Sequence, residues 1–205
     1  MIASTSRSVF ADFQQEAYPY RYRGTILAKT IAGGIPTNPN VAEAVKIVGD
    51  DRSLNGFKRN ETGLYIEGRQ LKSALKEAVS VAVRAGKLAQ RGWGKTNKGA
   101  LGLIAEHVLV VDDLLQLYTG DYDYISKPNG NPPIVQRFVS TFRGTGIQYE
   151  EVCEQVSFDF TVISDHDFAS KDWAMIWLTG EEQGIGASRS QGYGRYTVVN
   201  WEASS

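Results

Sequence analysis

Residues 156–162 alternate strictly between apolar and polar side chains, and this pattern constrains the fold more than any other in the chain. The apolar positions are Val156, Phe158, Phe160 and Val162. Because successive side chains of a β-strand point to opposite faces of a sheet, the alternation predicts a strand with one packed face and one polar face. Such a strand requires a sheet and a covering layer, which excludes an all-helical fold.

Two segments have the spacing of amphipathic helices. One runs from Gly68 to about Gly86 and has apolar residues at intervals of three and four: Leu71, Leu75, Ala78, Val79, Ala82 and Val83. The other covers about 170–180 and has Ser170 as its predicted N-cap. Each helix offers an apolar stripe for packing against a sheet.

Further segments are predicted to be strands: residues 20–32, which end at Gly33 and Gly34, residues 102–111 and residues 195–201. The order along the chain is then strand, helix, strand, followed by strand, helix, strand. This order predicts an α+β fold of the ferredoxin-like or RRM-like class, a split βαβ antiparallel sheet with two helices on one face.

The 205-residue chain is expected to form a single domain with long insertions at about 33–63, 87–101 and 114–148. Its single cysteine, Cys153, cannot form an intrachain disulfide, and no Cys/His cluster has zinc spacing. The sequence has no signal-peptide pattern and no apolar run long enough to cross a bilayer, so the expected location is the cytoplasm.

Charge is segregated along the chain, although the formal net charge is only -1. Residues 52–98 contain eleven lysines and arginines against three glutamates, whereas residues 106–182 contain fourteen acidic residues against four basic ones. A molecule with a basic and an acidic region can bind a polyanion with the first and a second copy of itself with the second. The alternative is that folding mixes the two blocks into a mosaic surface.

A glycine-dense segment, residues 184–195, precedes the last predicted strand. It contains Gly184, Gly186, Arg189, Gly192, Gly194 and Arg195. Glycine lets the backbone approach a ligand closely, and arginine offers a planar fork to phosphate oxygens, which indicates a cradle for a sugar-phosphate backbone. The alternative is a plain tight turn. A dinucleotide fingerprint is excluded because Arg189 occupies the third glycine position and a strand follows.

The predicted loop at 87–101 is basic and rich in glycine. Trp93 either stacks on a base or docks the loop onto the body of the protein, and Lys95 adds positive charge beside it. The GKT sequence at 94–96 is not a Walker A loop, because Ala89 stands where the first glycine is required.

Candidate catalytic residues are few. Asp50 and Asp51, in the first predicted loop, could hold a divalent ion or act at a scissile phosphate. His107 is expected to be a structural histidine, and His166 to lie in a solvated acidic turn. Cys153 is expected to be a small buried residue and not a nucleophile.

Residues 65–76, YIEGRQLKSALK, resemble the start of the first long helix in the RAMP superfamily, the repeat-associated mysterious proteins that form the backbone of CRISPR effector complexes. The matching positions are Tyr65, Ile66, Gly68, Leu71, Lys72, Ser73, Ala74 and Leu75. The glycine-dense segment resembles the C-terminal glycine-rich loop of the same superfamily. The resemblance covers residues 20–32, 64–86, 102–112 and 155–201, whereas residues 33–41 and 114–148 look more like small stand-alone RAMP-type proteins of bacteriophages.

The resemblance implies a protein that binds single-stranded RNA, or single-stranded DNA, through the phosphate backbone with little sequence preference. Copies would assemble head to tail into a homo-oligomer or filament, with residues 114–148 as a thumb over the neighbouring copy. It implies neither a cofactor nor a membrane partner, and it places the protein in the cytoplasm of a phage-infected bacterial cell. The residues implied at the strand are Arg69, Lys72, Lys76, Gly184, Gly186, Arg189, Gly192 and Arg195.

Two alternatives stay open. One is a divalent-metal-dependent endoribonuclease that uses Asp50 or Asp51 with Mg²⁺ or Mn²⁺. The other is a mimic of an effector subunit that acts through protein contacts alone.

Overall fold

The computed structural model describes residues 13–36, 54–88, 97–120, 122–125, 132–141 and 144–204. Its helices are α1 (Gln14–Ala17), α2 (Gly68–Arg84), α3 (Asn97–His107) and α4 (Ser170–Gln183). No described helix is both long and apolar enough to span a membrane. The strands are β1 (Tyr20–Ala32), β2 (Ile35–Pro36), β3 (Leu54–Gly56), β4 (Lys58–Arg59), β5 (Leu64–Glu67), β6 (Val108–Val110), β7 (Leu114–Gln116), β8 (Tyr118–Thr119), β9 (Asp123–Tyr124), β10 (Ile134–Thr141), β11 (Gly144–Ser164) and β12 (Tyr196–Ala203).

The centre of the main sheet is the pairing of β1 with the C-terminal half of β11. The two strands run antiparallel from Tyr20 opposite Ser164 to Ala32 opposite Val152. β12 pairs with the other edge of β1, and β6 pairs with β11. The order β12, β1, β11, β6 is that of a ferredoxin-like sheet, so the predicted α+β class and split βαβ arrangement are confirmed.

Helices α2 and α4 cover one face of this sheet. α2 buries Leu71 and Leu75 of the predicted stripe, and α4 buries Trp173 and Ile176. These side chains form one apolar cluster with inward residues of β1 and β11. The alternation predicted at 156–162 is confirmed, because its apolar side chains are buried in this cluster while the polar ones lie on the opposite face.

The start of α2 packs tightly against the chain that follows β6. A Cβ atom at Gly68 would lie 1.9 Å from the carbonyl oxygen of Asp112. The Gly68 N–H donates to the carbonyl oxygen of Asp113 at 2.9 Å. The glycine of the YIEG sequence is therefore required by close packing between two backbones.

The predicted insertions contain regular structure where they are described. β2, β3 and β4 fall within 33–63, and β4, β5 and β7 form a separate three-stranded sheet. Within 114–148, β7, β8 and β9 are short strands. β10 forms an antiparallel hairpin with the N-terminal half of β11, from Ile134 opposite Glu151 to Thr141 opposite Gly144.

The prediction of a loop at 87–101 and a strand at 102–111 is wrong in part. Asn97–His107 is helical, and the strand is confined to Val108–Val110. Two glycines in this segment weaken the helical propensity. Packing against α2 overrides that propensity, since Ile104 is fully buried in the shared core.

The predicted N-cap of α4 is wrong by one residue. Ala169 is the N-cap, with no side-chain capping bond, and Ser170 is the first helical residue. Phe168, the residue before the cap, packs on Trp173 at a ring-centroid distance of 5.3 Å. This apolar contact has the spacing of a hydrophobic staple, which sets the start of the helix in place of a hydroxyl cap.

A buried ion pair joins the second sheet to the main sheet. The Arg59 and Glu151 side chains are only 9% and 2% exposed. We predict that Arg59→Ala lowers the free energy of unfolding by about 3 kcal/mol or more, because it leaves a buried carboxylate without its cation. The control Arg69→Ala removes an exposed pair with Glu67 and should cost less than about 1 kcal/mol. Urea titration measures both changes, and equal losses would contradict the structural role of Arg59.

Candidate nucleic-acid interface

The glycine-dense segment links α4 to β12 and changes direction several times. A short 3₁₀ helix, Arg189–Gln191, lies within it. Four glycines have left-handed backbone conformations, which glycine adopts at little steric cost. Their φ angles are 76° at Gly184, 84° at Gly186, 88° at Gly192 and 79° at Gly194. Backbone geometry therefore accounts for these glycines independently of any ligand.

The segment packs against the C-terminal end of β1. The Gly194 N–H donates to the carbonyl oxygen of Thr30 at 2.7 Å, and the Ile185 N–H donates to that of Gly194 at 2.9 Å. A Cβ atom at Gly194 would lie 1.9 Å from the Ile185 carbonyl oxygen. The absence of a side chain at Gly194 lets two backbones meet inside the fold.

Several glycine amides of the segment donate to carbonyl oxygens within the fold. The hydrogen bonds run from Gly184 to Gly180 at 2.8 Å, from Gly192 to Arg189 at 2.9 Å, and from Gly194 to Thr30 at 2.7 Å. Contacts of the segment with a phosphate would therefore come mainly from its side chains.

Helix α2 and the glycine segment face each other across a shallow groove of about 90 Å³. α2 contributes Gln70, Ser73 and Ala74 to its lining, and the segment contributes Gly186 and Arg189. Two elements that the sequence analysis assigned to one strand of nucleic acid are therefore neighbours in space.

An ion pair between Arg189 and α2 lies beside this groove, in an adjoining depression that Glu77 and Arg189 both line. The Nη1 group of Arg189 donates to the Oε2 atom of Glu77 on α2. The two side chains are 34% and 41% exposed, and a pair with this exposure typically contributes less than about 1 kcal/mol. A guanidinium group has several N–H donors, so one bond to a carboxylate oxygen uses a small part of its capacity.

The two lysines assigned to the nucleic acid lie on another side of α2. Lys72 and Lys76 are displaced from Glu77 by about 140° and about 100° around the helix axis. The Lys72 Nζ group donates to the carbonyl oxygens of Ala105, at 3.1 Å, and Val108. Burial, and next the nearby Lys76 charge, lower the pKa of the Lys72 amine. Lys72 therefore stabilises the C-terminal end of α3.

The other two arginines assigned to the nucleic acid have carboxylate neighbours. Arg69 donates to Glu67 Oε2 through Nε at 2.9 Å and through Nη2 at 2.6 Å. Hydrogen bonds from Lys58 and then from Arg69 lower the pKa of Glu67. The Arg195 Nη1 group lies 3.9 Å from Glu182 Oε2. Both arginines are mostly exposed, at 76% and 64% of their side chains.

Some of the predicted site residues lie outside the described residues, and their roles stay predictions. They are Trp93, Lys95, Asp50 and Asp51. In the part of the chain that the structure describes, no group of three or more His, Cys, Asp and Glu side chains could hold a metal ion.

The histidines and the cysteine have structural surroundings. His107 Nδ1 lies 2.8 Å from Asp165 Oδ1, and the rings of His107 and His166 are 5.6 Å apart. Cys153 is buried, and burial raises the pKa of its thiol to about 12. The thiol is therefore protonated at neutral pH, which agrees with the expectation that it is not a nucleophile.

Glu77 is the residue that the sequence analysis missed. It is the single acidic residue of α2, a helix that also carries four basic side chains. No cation lies three or four positions away from it on the helix, so an ion-pair partner must come from another element. That partner, Arg189, is 112 positions away and cannot be identified from the spacing of one sequence.

We predict that Gly194→Ala lowers the free energy of unfolding by about 3 kcal/mol or more, because the new Cβ atom would overlap the Ile185 carbonyl oxygen. Gly192→Ala is the matched control, since Gly192 has a similar φ of 88° but no atom within 4 Å of a built Cβ. Its expected cost is about 1 kcal/mol. Chemical denaturation compares the two variants, and equal costs would show that close packing is not what requires Gly194.

No family model matches the sequence, and no curated protein matches it. Among solved structures, a chain in the cryo-EM structure of the type III-B Cmr-beta bound to cognate target RNA matches with a TM-score of 0.57 and 14% identity. The match covers 94% of this chain but 62% of that chain. Cmr6 from Pyrococcus furiosus matches with a TM-score of 0.45 and 13% identity, over 88% of this chain and 98% of Cmr6. The protein therefore has a RAMP-like α+β fold.

Proposed function

We propose that the protein binds single-stranded RNA, or single-stranded DNA, through the phosphate backbone at the groove between α2 and the glycine segment. The observation that carries this proposal is the position of Arg189, half exposed and adjacent to Gln70 and Ser73. Arginine, amide and hydroxyl groups are common partners of phosphate oxygens. The fold likeness adds support, because the matched chain belongs to a structure bound to target RNA.

A phosphate would replace Glu77 as the partner of Arg189. Breaking a half-exposed ion pair costs little, whereas a charge-assisted bond between arginine and a phosphate is short and can be bidentate. Glu77 also repels an approaching polyanion. Binding at this point is therefore a competition between a carboxylate and a phosphate for one guanidinium.

The other assigned residues would extend the contact along the strand. Arg195 lies on the same segment as Arg189 and is 64% exposed. Arg69 and Lys76 lie on α2. To reach a phosphate, Lys72 would first have to break its hydrogen bonds to two carbonyl oxygens, so Lys76 is the less constrained of the two lysines. From the sequence alone, Trp93 and Lys95 would add a stacking surface and a further charge. Gly184, Gly186 and Gly192 would shape the segment.

Contacts of this kind carry little information about base sequence. Phosphates are identical at every position, so a protein that contacts the backbone binds different sequences with similar affinity. Because both RNA and single-stranded DNA have phosphates in their backbones, either could bind to this surface.

We further propose that copies assemble head to tail along the strand. The segregation of basic residues in 52–98 and acidic residues in 106–182 supports this assembly. Unlike surfaces that meet repeatedly build open filaments. The hairpin of β10 and β11 is the candidate thumb, and Ile134 on it is 45% exposed.

The binding prediction is tested with a labelled single strand at several salt concentrations. The logarithm of the association constant should fall with the logarithm of the salt concentration, with a slope of about -0.7 per neutralised phosphate. Arg189→Ala should weaken binding about tenfold and remove about one phosphate from the slope. Glu77→Gln should tighten binding, because it removes the competing carboxylate.

Lys171→Ala is the matched control for these variants. Lys171 is an exposed cation at the beginning of α4, whereas the glycine segment follows its end. Its removal should leave the affinity nearly unchanged. Equal losses in the Lys171 and Arg189 variants would contradict the proposed site. A protein with no salt-dependent binding to any single strand would instead favour the mimic that acts through protein contacts.

The assembly prediction is tested by light scattering with strands of increasing length. The number of bound copies should rise in steps with strand length. Ile134→Lys should reduce binding of the second copy without changing the affinity of one copy for a short strand. Val199→Lys is the control, since Val199 is also exposed, at 54%, but lies on β12. A single copy on long strands would refute head-to-tail assembly.

A further inference from the structure

The face of the main sheet opposite α2 and α4 has two adjoining depressions. One has a volume of about 270 Å³ and the other about 440 Å³, and Arg23 lines both. Residues of three neighbouring strands contribute polar side chains to this face: Arg21, Arg23 and Thr25 of β1, Asp159 and Thr161 of β11, and Asn200 and Glu202 of β12. The groove beside Arg189 is lined by α2, which lies on the other face.

The smaller depression is cationic. Arg21 and Arg23 project from the same side of β1, and Gln14 and Tyr18 complete the lining next to them. Among the described residues, neither arginine makes an ion pair. Two guanidinium groups beside an amide and a phenol are donors suited to the oxygens of one phosphate group.

The larger depression has an exposed aromatic ring at its margin. Tyr122 is 57% exposed and stacks on Tyr118 with a centroid distance of 4.6 Å and an interplanar angle of 28°. Its φ of 62° is in the left-handed region, which is unfavourable for a bulky residue. Such strain persists where the surrounding structure imposes it and is concentrated at binding sites.

A carboxylate lies next to this ring. Asp159 Oδ1 accepts hydrogen bonds from Tyr118 Oη at 2.9 Å and from Thr25 Oγ1 at 2.7 Å. A hydrogen bond to Asp159 raises the pKa of Tyr122 above its ordinary value. The carboxylate is therefore held in place while Asp159 stays exposed on the sheet face.

We propose that this face binds one nucleotide, with its phosphate at Arg21 and Arg23 and its base on Tyr122. Thr25 lies opposite Asp159 in the register of β1 on β11, and about 13 Å along β1 separates it from Arg21. The phosphate and the base are therefore held by separate groups. Asp159 accepts hydrogen bonds but donates none, and its Oδ2 atom remains for a base after Tyr118 and Thr25 bond to Oδ1, so it favours a base with amino and imino donors. Guanine offers two adjacent donors to a carboxylate, whereas uracil offers one.

The charges also limit the size of the ligand. Asp159 lies opposite Thr25 at the base end, whereas Glu202 lies opposite Arg23, level with Thr161 and Asp112. All three carboxylates line the larger depression, where they would repel further phosphates of a continuous strand. The site therefore fits a free nucleotide or the phosphorylated terminal nucleotide of an RNA. This ligand and its place on the sheet are separate from the backbone contacts proposed at Arg189.

The test is calorimetric titration of the nucleic-acid-free full chain with GMP, UMP, guanosine and inorganic phosphate. GMP should bind at least about tenfold more tightly than each of the others. Tyr122→Gly should weaken GMP binding about tenfold, because it removes the ring on which the base stacks. Glycine adopts a positive φ without strain, so this substitution should not destabilise the fold. Arg21→Ala should have a loss of similar size, and Asp159→Asn should remove the preference for GMP over UMP.

Arg189→Ala is the control that separates the two sites, and it should leave GMP binding unchanged. Equal binding of guanosine and GMP, or wild-type binding by Tyr122→Gly, would overturn the proposal. The proposal would also be overturned if a lysine-rich peptide bound in place of GMP and the Asp159→Asn variant no longer bound that peptide. Competition by a short RNA that begins with a 5′-phosphorylated guanosine, but not by its 5′-hydroxyl form, would identify an RNA end as the source. If GMP binds and this RNA does not compete with it, the ligand would be identified as the free nucleotide.

Discussion

The antiparallel register of β1 on β11 is the constraint on which both proposed surfaces depend. At one end of β1, the carbonyl oxygens of Thr30 and Ala32 hold the glycine segment. At the other end, alternation places Arg21 and Arg23 on the open face, while Ile26 and Ala28 enter the core. A shift of the β1–β11 register by one residue would exchange the core face and the open face of β1. The same register therefore determines the position of both the groove at Arg189 and the polar sheet face.

The parts of the fold that could be predicted from sequence are those whose periodicity is local. Phe158 alternates with polar neighbours, and Leu71 recurs with its helical partners, so each pattern is complete within its own element. Helix α3 could not be predicted, because Gly99 and Gly102 oppose it and its stability comes from contacts with another helix. The start of α4 was missed for a related reason, since a ring contact with Trp173 replaces a polar cap.

For the candidate site, the meeting of α2 with the glycine segment could be predicted, but the side of α2 that faces the segment could not. A helix with one apolar stripe has two polar flanks, and the packing of its neighbours decides which flank each neighbour meets. The structure turns Glu77 to the segment and Lys72 to α3. Both arrangements depend on residues far apart in sequence, so spacing within α2 cannot distinguish them.

The partners of the basic residues determine how tightly the chain can bind a polyanion. The described contacts are Arg69 with Glu67, Lys72 with two carbonyl oxygens, Arg189 with Glu77, and Arg195 near Glu182. Each phosphate contact at these residues is an exchange of partners, so one copy gains little free energy per phosphate. Appreciable affinity then requires many contacts in parallel, and the proposed assembly of several copies on one strand would supply them through high effective concentration. Arg21 and Arg23 make no such ion pairs among the described residues. At the proposed nucleotide site, one phosphate group would therefore be held by two guanidinium groups without first displacing a carboxylate.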